Sequence, residues 1–559
     1  MSNDHDEWIG RLDALEATAL NGQPKSIARQ HEQGKLTARE RVERLMDPGT
    51  FLEDFLLAES PTTEFGMDER KQPGDGVITG YGKINGRLTY VFAQDFTSFA
   101  GTVGSVHAEK IAYTIETARK VGAPVVGLYD SAGARIQEGL DVTRSIGKIF
   151  YQNTVTSGVV PQISAIMGPC IGVAAYSPAL TDIIVMVAGT SQMFITGPSV
   201  VKSVTGEEVT MEELGGHKVH SETSGVSDVV ASNDEDCIAR IRTLLGYLPA
   251  SNKGNPPIRT PTDDPQRQVE GLDEIVPDNV RKPYDIRKVI RALVDDESFD
   301  ELKAGWARNI VIGFGRLNGR SVGFVANQSM FLAGSLDVDC SDKASRFIRL
   351  CDAYNIPIVT LVDVPGYMPG TKQEQRGIIR HGAKMLYAYA ESTVPKITIY
   401  LRKGYGGAKQ AMCTHEMGAD QVFVWPGVEL AVMGAAGAVG VLYKREIEQA
   451  ENPAEVRRQK LEEFNERFVG PFEAVAKRHA NAAVRPGETR IRLIRSLEML
   501  EHKAEDRPKK NMESCRYESG RLSVVSGRWL STTYCSHWPL STDDSSLFFP
   551  NAQSGTDSP

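Results

Sequence analysis

The chain has 559 residues, 41% of them hydrophobic, and a formal charge of −9 with a pI of about 5.7. That length exceeds what one hydrophobic core commonly fills, so two folded domains are expected. The acidic balance excludes a sequence-independent binder of nucleic acid, which needs a basic surface.

The N-terminus, "MSNDHDEWIG", is acidic and polar where a secretory signal needs a basic start and an apolar core. No apolar run approaches the roughly 20 residues that span a bilayer, so a cytoplasmic location is expected. Further along, "GKINGRLTYVF" from Gly82 places Asn-Gly between two strand-like runs and predicts a hairpin. "KIAYTIETARK" from Lys110 has apolar residues at helical steps, "PVVGLYDS" reads as a buried strand, and "VPQISAIMGPCIGVAAYS" from Val160 as another strand that ends in a glycine turn. This cycle then recurs. "GRLNGRSVGFV" starts at Gly315 (315 − 82 = 233), Lys343 answers Lys110 and Asp363 answers Asp130 at the same spacing, and Pro395 answers Pro161 at 395 − 161 = 234. The chain is a duplicated domain, in which Gly172-Val173-Ala174 stands opposite Gly406-Gly407-Ala408.

Strands alternating with helices give an α/β class. Residues 1–257 and 275–510 are expected as the two domains. The Pro-, Asn- and charge-rich segment 249–279 is expected as an exposed connector between them. The last 49 residues, 511–559, carry two of the five Trp and two of the seven Cys without periodicity, and are expected to be a disordered, functionally silent tail. The cysteines are widely spaced, with no C-x-x-C, and read as reduced thiols.

The twin turns carry the chemistry. Backbone N–H groups at a strand-to-helix junction hold an oxyanion or enolate, helped by the positive end of the helix, and need no nucleophile or acid. Small residues there could instead just let a helix pack close to a sheet. Two copies at matching positions favour two carbonyl-type oxygens, one per half. Other motifs carry less. "YDSAG" around Ser131 has Tyr129 where a nucleophile elbow needs Gly, and "GAAGAVG" at 434–440 fits helix packing better than dinucleotide binding. Asp130 and Asp363 end buried strands and are expected to cap the loops that follow. His107, His220, His381 and His415 lack metal-ligand spacing.

"QHEQGKLTARERVERLMDPGTF", "QDFTSFAGTVG", "DSAGARIQEG", "MGPCIGVAAYSPALTD", "LVDVPGYMPGTKQE" and "RKGYGGA" resemble the carboxyltransferase subunit of biotin-dependent acyl-CoA carboxylases, of the propionyl-CoA carboxylase beta and methylmalonyl-CoA decarboxylase alpha type. The resemblance runs in order from about residue 5 to 510. It implies duplicated crotonase-like β-β-α superhelical domains. It also implies a homohexamer, with sites where the N-terminal half of one copy faces the C-terminal half of another. Carboxybiotin, supplied by a separate biotin carboxylase and carrier subunit, would be the carboxyl donor, and a short acyl-CoA, propionyl-CoA as the expected substrate, the acceptor. The same site run in reverse would serve a decarboxylase or transcarboxylase, and a non-catalytic assembly scaffold is the alternative from another class. Carried over by motif, the amides of Gly407 and Ala408 would hold the biotin carbonyl and those at Gly172 and Val173 the thioester oxygen. Gly133, Ala134, Gly406 and Gln410 would bind substrate, Gln410 at the acyl-length selector. Three positions depart from the family pattern: Val173 where a second Gly is usual, Lys409 where an aromatic is common, and Gln410 where Asp or Ile is typical.

Overall fold

The computed structural model describes residues 2–468 and 470–508, so the expected tail lies outside the described residues. The N-terminal half contributes β1 (Leu52–Asp54), β2 (Val77–Ile84), β3 (Arg87–Gln94), β4 (Val125–Ser131), β5 (Gln162–Ile171), β6 (Ile183–Val187), β7 (Gln192–Phe194) and β8 (Val229–Ala231). The C-terminal half contributes β9 (Phe299–Leu302), β10 (Ile310–Leu317), β11 (Arg320–Asn327), β12 (Ile358–Val364), β13 (Lys396–Tyr405), β14 (Gln421–Val424), β15 (Glu429–Ala431) and β16 (Ala482–Ala483). Each half forms one mixed sheet, in the orders β1-β2-β3-β4-β5-β6-β8 and β16-β14-β13-β12-β11-β10-β9, with β7 on β5 and β15 on β13. Register repeats with the sequence: Tyr90 pairs Val125, and Gly323 pairs Ile358.

The hairpins fix that register. Asn85 and Gly86 have φ of 52° and 76°, and Asn318 and Gly319 have 50° and 75°. Two positive φ values in a row match the twist of the flanking strands and explain the Asn-Gly pairs. One carboxylate underpins each turn. Asp47 accepts from the amides of Asn85 (3.1 Å) and Gly86 (2.7 Å), and Asp295 from those of Asn318 (3.0 Å) and Gly319 (2.7 Å).

β1 and β9 add antiparallel edges to the hairpins, and from β3 and β11 onward the strands run parallel. β4 and β12 are buried along their whole length, which is why they read as unbroken apolar runs. The Ser105–Val121 helix buries Ala108, Ile111, Ala112, Ile115 and Ala118 at three- and four-residue steps, and its counterpart Val338–Ala353 buries Ala344, Phe347, Ile348 and Cys351. A continuous apolar core links the halves. Within it Tyr247 stacks on Phe314, with ring centroids 5.4 Å apart, and its hydroxyl donates to Asp300 at 2.7 Å. The connector is exposed over most of its first half, but Val269, Leu272 and Val276, spaced on one face, enter this core. Its polar composition concealed that apolar stripe.

Asp130 and Asp363 do not cap loops. Each occupies the point where strand register shifts, between Tyr129 and Ser131 on β4 and between Val362 and Val364 on β12, with its side chain fully buried. Asp130 takes hydrogen bonds from Lys35 Nζ (2.9 Å), Arg41 Nη1 (2.9 Å) and Gln30 Nε2 (3.0 Å). Arg41 also binds Asp234 at 2.8 Å and the Met167 carbonyl at 3.1 Å. Burial opposes the charge on Arg41, and the carboxylates of Asp130 and Asp234 overcome it, raising its pKa. Asp363 instead receives Arg402 Nη2 at 2.8 Å from the adjacent strand. The residue matching Arg402 is Gly168, where a Cβ would come within 1.9 Å of the Asp130 carboxylate. The N-terminal half therefore imports its cations from the segment before β1, and the C-terminal half carries its own.

A second twin pair anchors the hairpins to the helices. Lys110 Nζ donates to the carbonyls of Gly74 (2.9 Å) and Val77 (2.6 Å), and Lys343 Nζ to those of Lys303 (2.9 Å), Trp306 (2.8 Å) and Ile310 (2.8 Å). Burial pushes the pKa of Lys110 down to about 8 and that of Lys343 down to about 7.

Replacing Asp130 by Asn leaves Lys35 and Arg41 buried with one carboxylate fewer. A broken buried pair costs about 3–5 kcal/mol, so the denaturation midpoint of Asp130→Asn should fall well below that of wild type. Lys343→Met should lower stability by about 1–3 kcal/mol through its orphaned carbonyls. Between the folded pKa of Lys343 and the unfolded value near 10.4, the unfolded chain binds the extra proton at this position, so it makes stability rise with pH. Urea titrations at pH 7 and pH 9 should show that rise reduced in Lys343→Met.

Candidate functional site

The site begins where β5 and β13 fork. The first part of β5 pairs with β6 (Ile163 with Ile183), while its last three residues pair with β7 (Ile171 with Phe194). β13 does the same, Ile397 with Gln421 on β14 and Tyr405 with Ala431 on β15. Each strand thus exchanges one neighbour just before its glycine turn while staying paired on its other side, Cys170 with Ser131 on β4 and Gly404 with Val364 on β12. Gly172 has φ 64° and leads into the Val173–Ala179 helix, and Gly406 has φ 57° and opens the Gly406–Ala411 helix. This left-handed conformation favours glycine and lets a strand pass into a helix within one residue. The Gly172 amide is used by the fold, donating to the Phe194 carbonyl at 2.9 Å. The amides that follow belong to first helical turns, where N–H groups lack intrahelical acceptors.

A second loop comes up beside the N-terminal turn. Gly133, at φ 104°, lies so close that a Cβ there would be 3.1 Å from the Ile171 carbonyl. Ala134 forms a parallel bridge with Val103, and Tyr367 repeats it with Leu336. Gly133 and Ala134 are therefore brought to the turn, and Gly366 and Tyr367 hold the equivalent place in the other half. The Ser131 side chain is buried, and its Oγ accepts from the Gly133 amide at 3.1 Å, so it is no exposed nucleophile.

The C-terminal turn borders a cavity of about 820 Å³, lined by Gly406, Gly407, Lys409 and Gln410 on one side and by Leu430, Val432, Met433, Val441 and Leu442 on the other. Gly407 is exposed, and a Cβ built on it meets no atom within 4 Å, whereas Ala408 is buried. The "GAAGAVG" run forms the Ala435–Leu442 helix, and this helix walls the cavity. Tyr405 donates from its hydroxyl to the Glu429 carboxylate, and its ring packs 3.4 Å from a Cβ built at Gly434. That clasp ties the turn to the cavity wall. The matching residues in the first half, Ile171 and Gln192, cannot form it.

Exposed apolar side chains lie at both turns: Ile195, whose carbonyl is 3.5 Å from a Cβ built on Gly172, at the first, and Val432, Met433, Val441 and Leu442 at the second. No local pattern in the chain marks the cavity wall or the Tyr405 clasp. The paired glycines could have pointed to Gly366 through the 233-residue spacing.

Residues 29–514 match the model of the carboxyl transferase domain family. The carboxyltransferase subunit of propionyl-CoA carboxylase from Haloferax mediterranei is 52% identical over 504 residues, covering 89% of this chain and 98% of that one. The alpha subunit of methylmalonyl-CoA decarboxylase from Veillonella parvula is 51% identical over 498 residues, covering 89% and 96%. Among solved structures, the transcarboxylase 12S core, described as a hexamer with methylmalonyl-coenzyme A bound, superposes with a TM-score of 0.88 at 46% identity, covering 92% of this chain and 98% of that one. The duplicated fold, the twin turns and these relatives agree, and the chain belongs to the carboxyl transferase family as a carboxyltransferase of the propionyl-CoA carboxylase and methylmalonyl-CoA transcarboxylase kind.

Proposed function

We propose that this carboxyltransferase passes a carboxyl group between biotin, carried on a separate protein, and the α-carbon of a short acyl-CoA, converting propionyl-CoA to methylmalonyl-CoA in the forward direction. The observation that carries the reading is the pair of left-handed turns at Gly172 and Gly406, one of them facing a cavity with room in front of its free amides. When bound, biotin supplies the carboxyl group and a ureido nitrogen able to take the α-proton, so the chain itself needs no basic side chain there. What the chain supplies is orientation and fixed dipoles. The amides of Gly407 and Ala408 receive the ureido oxygen, and the amide of Val173, with the Gly133–Ala134 loop beside it, receives the thioester oxygen; the Gly172 amide, held by the Phe194 carbonyl, shapes the turn without donating to substrate. Because these donors are fixed before reaction, they stabilise developing negative charge without reorganising. The apolar walls around the Gly406 turn exclude water from the transfer.

The exposed apolar groups beside each turn support a pairing of copies in which the first half of one covers the second half of another. Transcarboxylase 12S, described as a hexamer, is the precedent for such an assembly. The reverse direction is a second reading, favoured by the 51% identity to a methylmalonyl-CoA decarboxylase subunit.

Purified protein given carboxybiotin and acetyl-, propionyl- or butyryl-CoA should transfer labelled carboxyl with propionyl-CoA preferred; a folded assembly that transfers to none would overturn the reading. Glycine substitutions separate chemistry from folding. In Gly407→Ala the methyl enters open space ahead of the turn, so the protein should fold and assemble while transfer drops about 10²- to 10³-fold, the usual loss on disabling one oxyanion donor. Gly406→Ala, with φ at 57°, should lose stability as well.

A further inference from the structure

The cavity beside the Gly406 turn is apolar over most of its wall, yet the polar groups beside the turn present donors. Lys409 lines it and is half-buried, and it makes no hydrogen bond or ion pair with any described residue. Gln410 lines it too; its Oε1 is taken by the Thr414 hydroxyl at 2.6 Å, which leaves the Nε2 donors without an acceptor among the described residues. The lone carboxylate among the described lining residues, Glu473, is engaged by Lys477 at 2.5 Å. Burial lowers the pKa of Lys409, with the Glu416 carboxylate pulling the other way without touching it. The matching position in the first half is Ala175, buried and uncharged. A half-buried ammonium with no counterion among the described residues, next to a side-chain amide donor likewise without an acceptor there, is built for an anion with two oxygens.

We propose that Lys409, assisted by the Gln410 amide, forms a carboxylate-binding subsite of this enzyme. The proposal rests on the carboxyltransferase reading, in which the Gly406 turn faces the reacting groups. Two sources supply such a carboxylate: the group being transferred, as it stands in methylmalonyl-CoA, or a second carboxylate at the far end of a dicarboxylic acyl chain. In either case Lys409 acts as a specificity residue, since a monocarboxylic acyl thioester such as propionyl-CoA offers it no partner.

The test compares full-length wild type, Lys409→Gln and Lys409→Arg in two measurements. The first is equilibrium binding of propionyl-CoA, methylmalonyl-CoA and glutaryl-CoA by calorimetry; the second is transfer between these thioesters and free biotin. Lys409→Gln should weaken methylmalonyl-CoA about 10- to 100-fold, the range of one charge-assisted hydrogen bond, with propionyl-CoA unchanged and most of the loss restored in Lys409→Arg. Weakening confined to glutaryl-CoA would assign the subsite to the distal carboxylate. Equal affinities for all three thioesters in wild type and Lys409→Gln would overturn the proposal, as would an equal loss for all three that Arg does not rescue. A wild type that binds but transfers nothing would refute the carboxyltransferase reading, while the binding comparison would still decide the subsite.

Discussion

The structure depends on a buried carboxylate placed at a break in strand pairing. Asp130 and Asp363 sit where β4 and β12 shift register against their neighbours, and each is neutralised inside the protein by guanidinium. A buried charge persists only with its partner, so each pair fastens distant segments to one point. Arg41 brings the Ala38–Leu45 helix and Asp234 to Asp130, while Arg402 ties Asp363 to the end of the connector through the carbonyl of Asn279 (3.1 Å) and to the residues that follow through that of Lys282 (2.7 Å). Beyond the shift, β5 and β13 stay on β4 and β12 but take β7 and β15 as their other neighbours, and so carry their glycine turns past β6 and β14. The loops that flank the turns lean on the same spot, since a Cβ at Gly101 would strike the Asp130 carbonyl and one at Gly334 the Asp363 carbonyl.

Duplication kept this scaffold and let the surfaces diverge. Hairpin, carbonyl-bound lysine, buried aspartate and left-handed glycine occur twice. At the turn itself the halves differ: Ile171, Val173 and Ala175 in one answer Tyr405, Gly407 and Lys409 in the other. The first half offers backbone donors in an uncharged setting, which suits a thioester. The second adds a clasped turn, an open position at Gly407 and an ammonium beside a large cavity with no counterion among the described residues, which suits a more polar, anionic group. On the proposed reading, a transfer between unlike partners is what two diverged copies of one turn make possible.

The absence of a nucleophile or general acid from the twin motifs agrees with this division of labour. Ser131 is buried under the Gly133 amide, and the fully buried His107 is occupied by the Asp75 carbonyl at 3.1 Å and by Gln94 at 3.3 Å. Rate acceleration would come from dipoles held rigidly by a deep core, the arrangement in which fixed donors act most strongly.

Much of this was legible in the chain. Asn-Gly turns, helical spacing, apolar strands and a repeat of 233 residues are local or self-similar features, so sequence by itself determined the duplicated α/β fold and the two glycine turns. The connector's buried stripe was obscured by its polar composition, and the role of the aspartates depended on cations from Lys35 and Arg41, 95 and 89 residues away, or on the neighbouring strand. Only the tertiary structure decided that Asp130 and Asp363 are buried hubs, that the Ala435–Leu442 helix walls a cavity, and that Lys409 lines it without a counterion among the described residues. Those facts depend on which remote groups share a desolvated space, and a linear pattern carries no measure of burial or of partners.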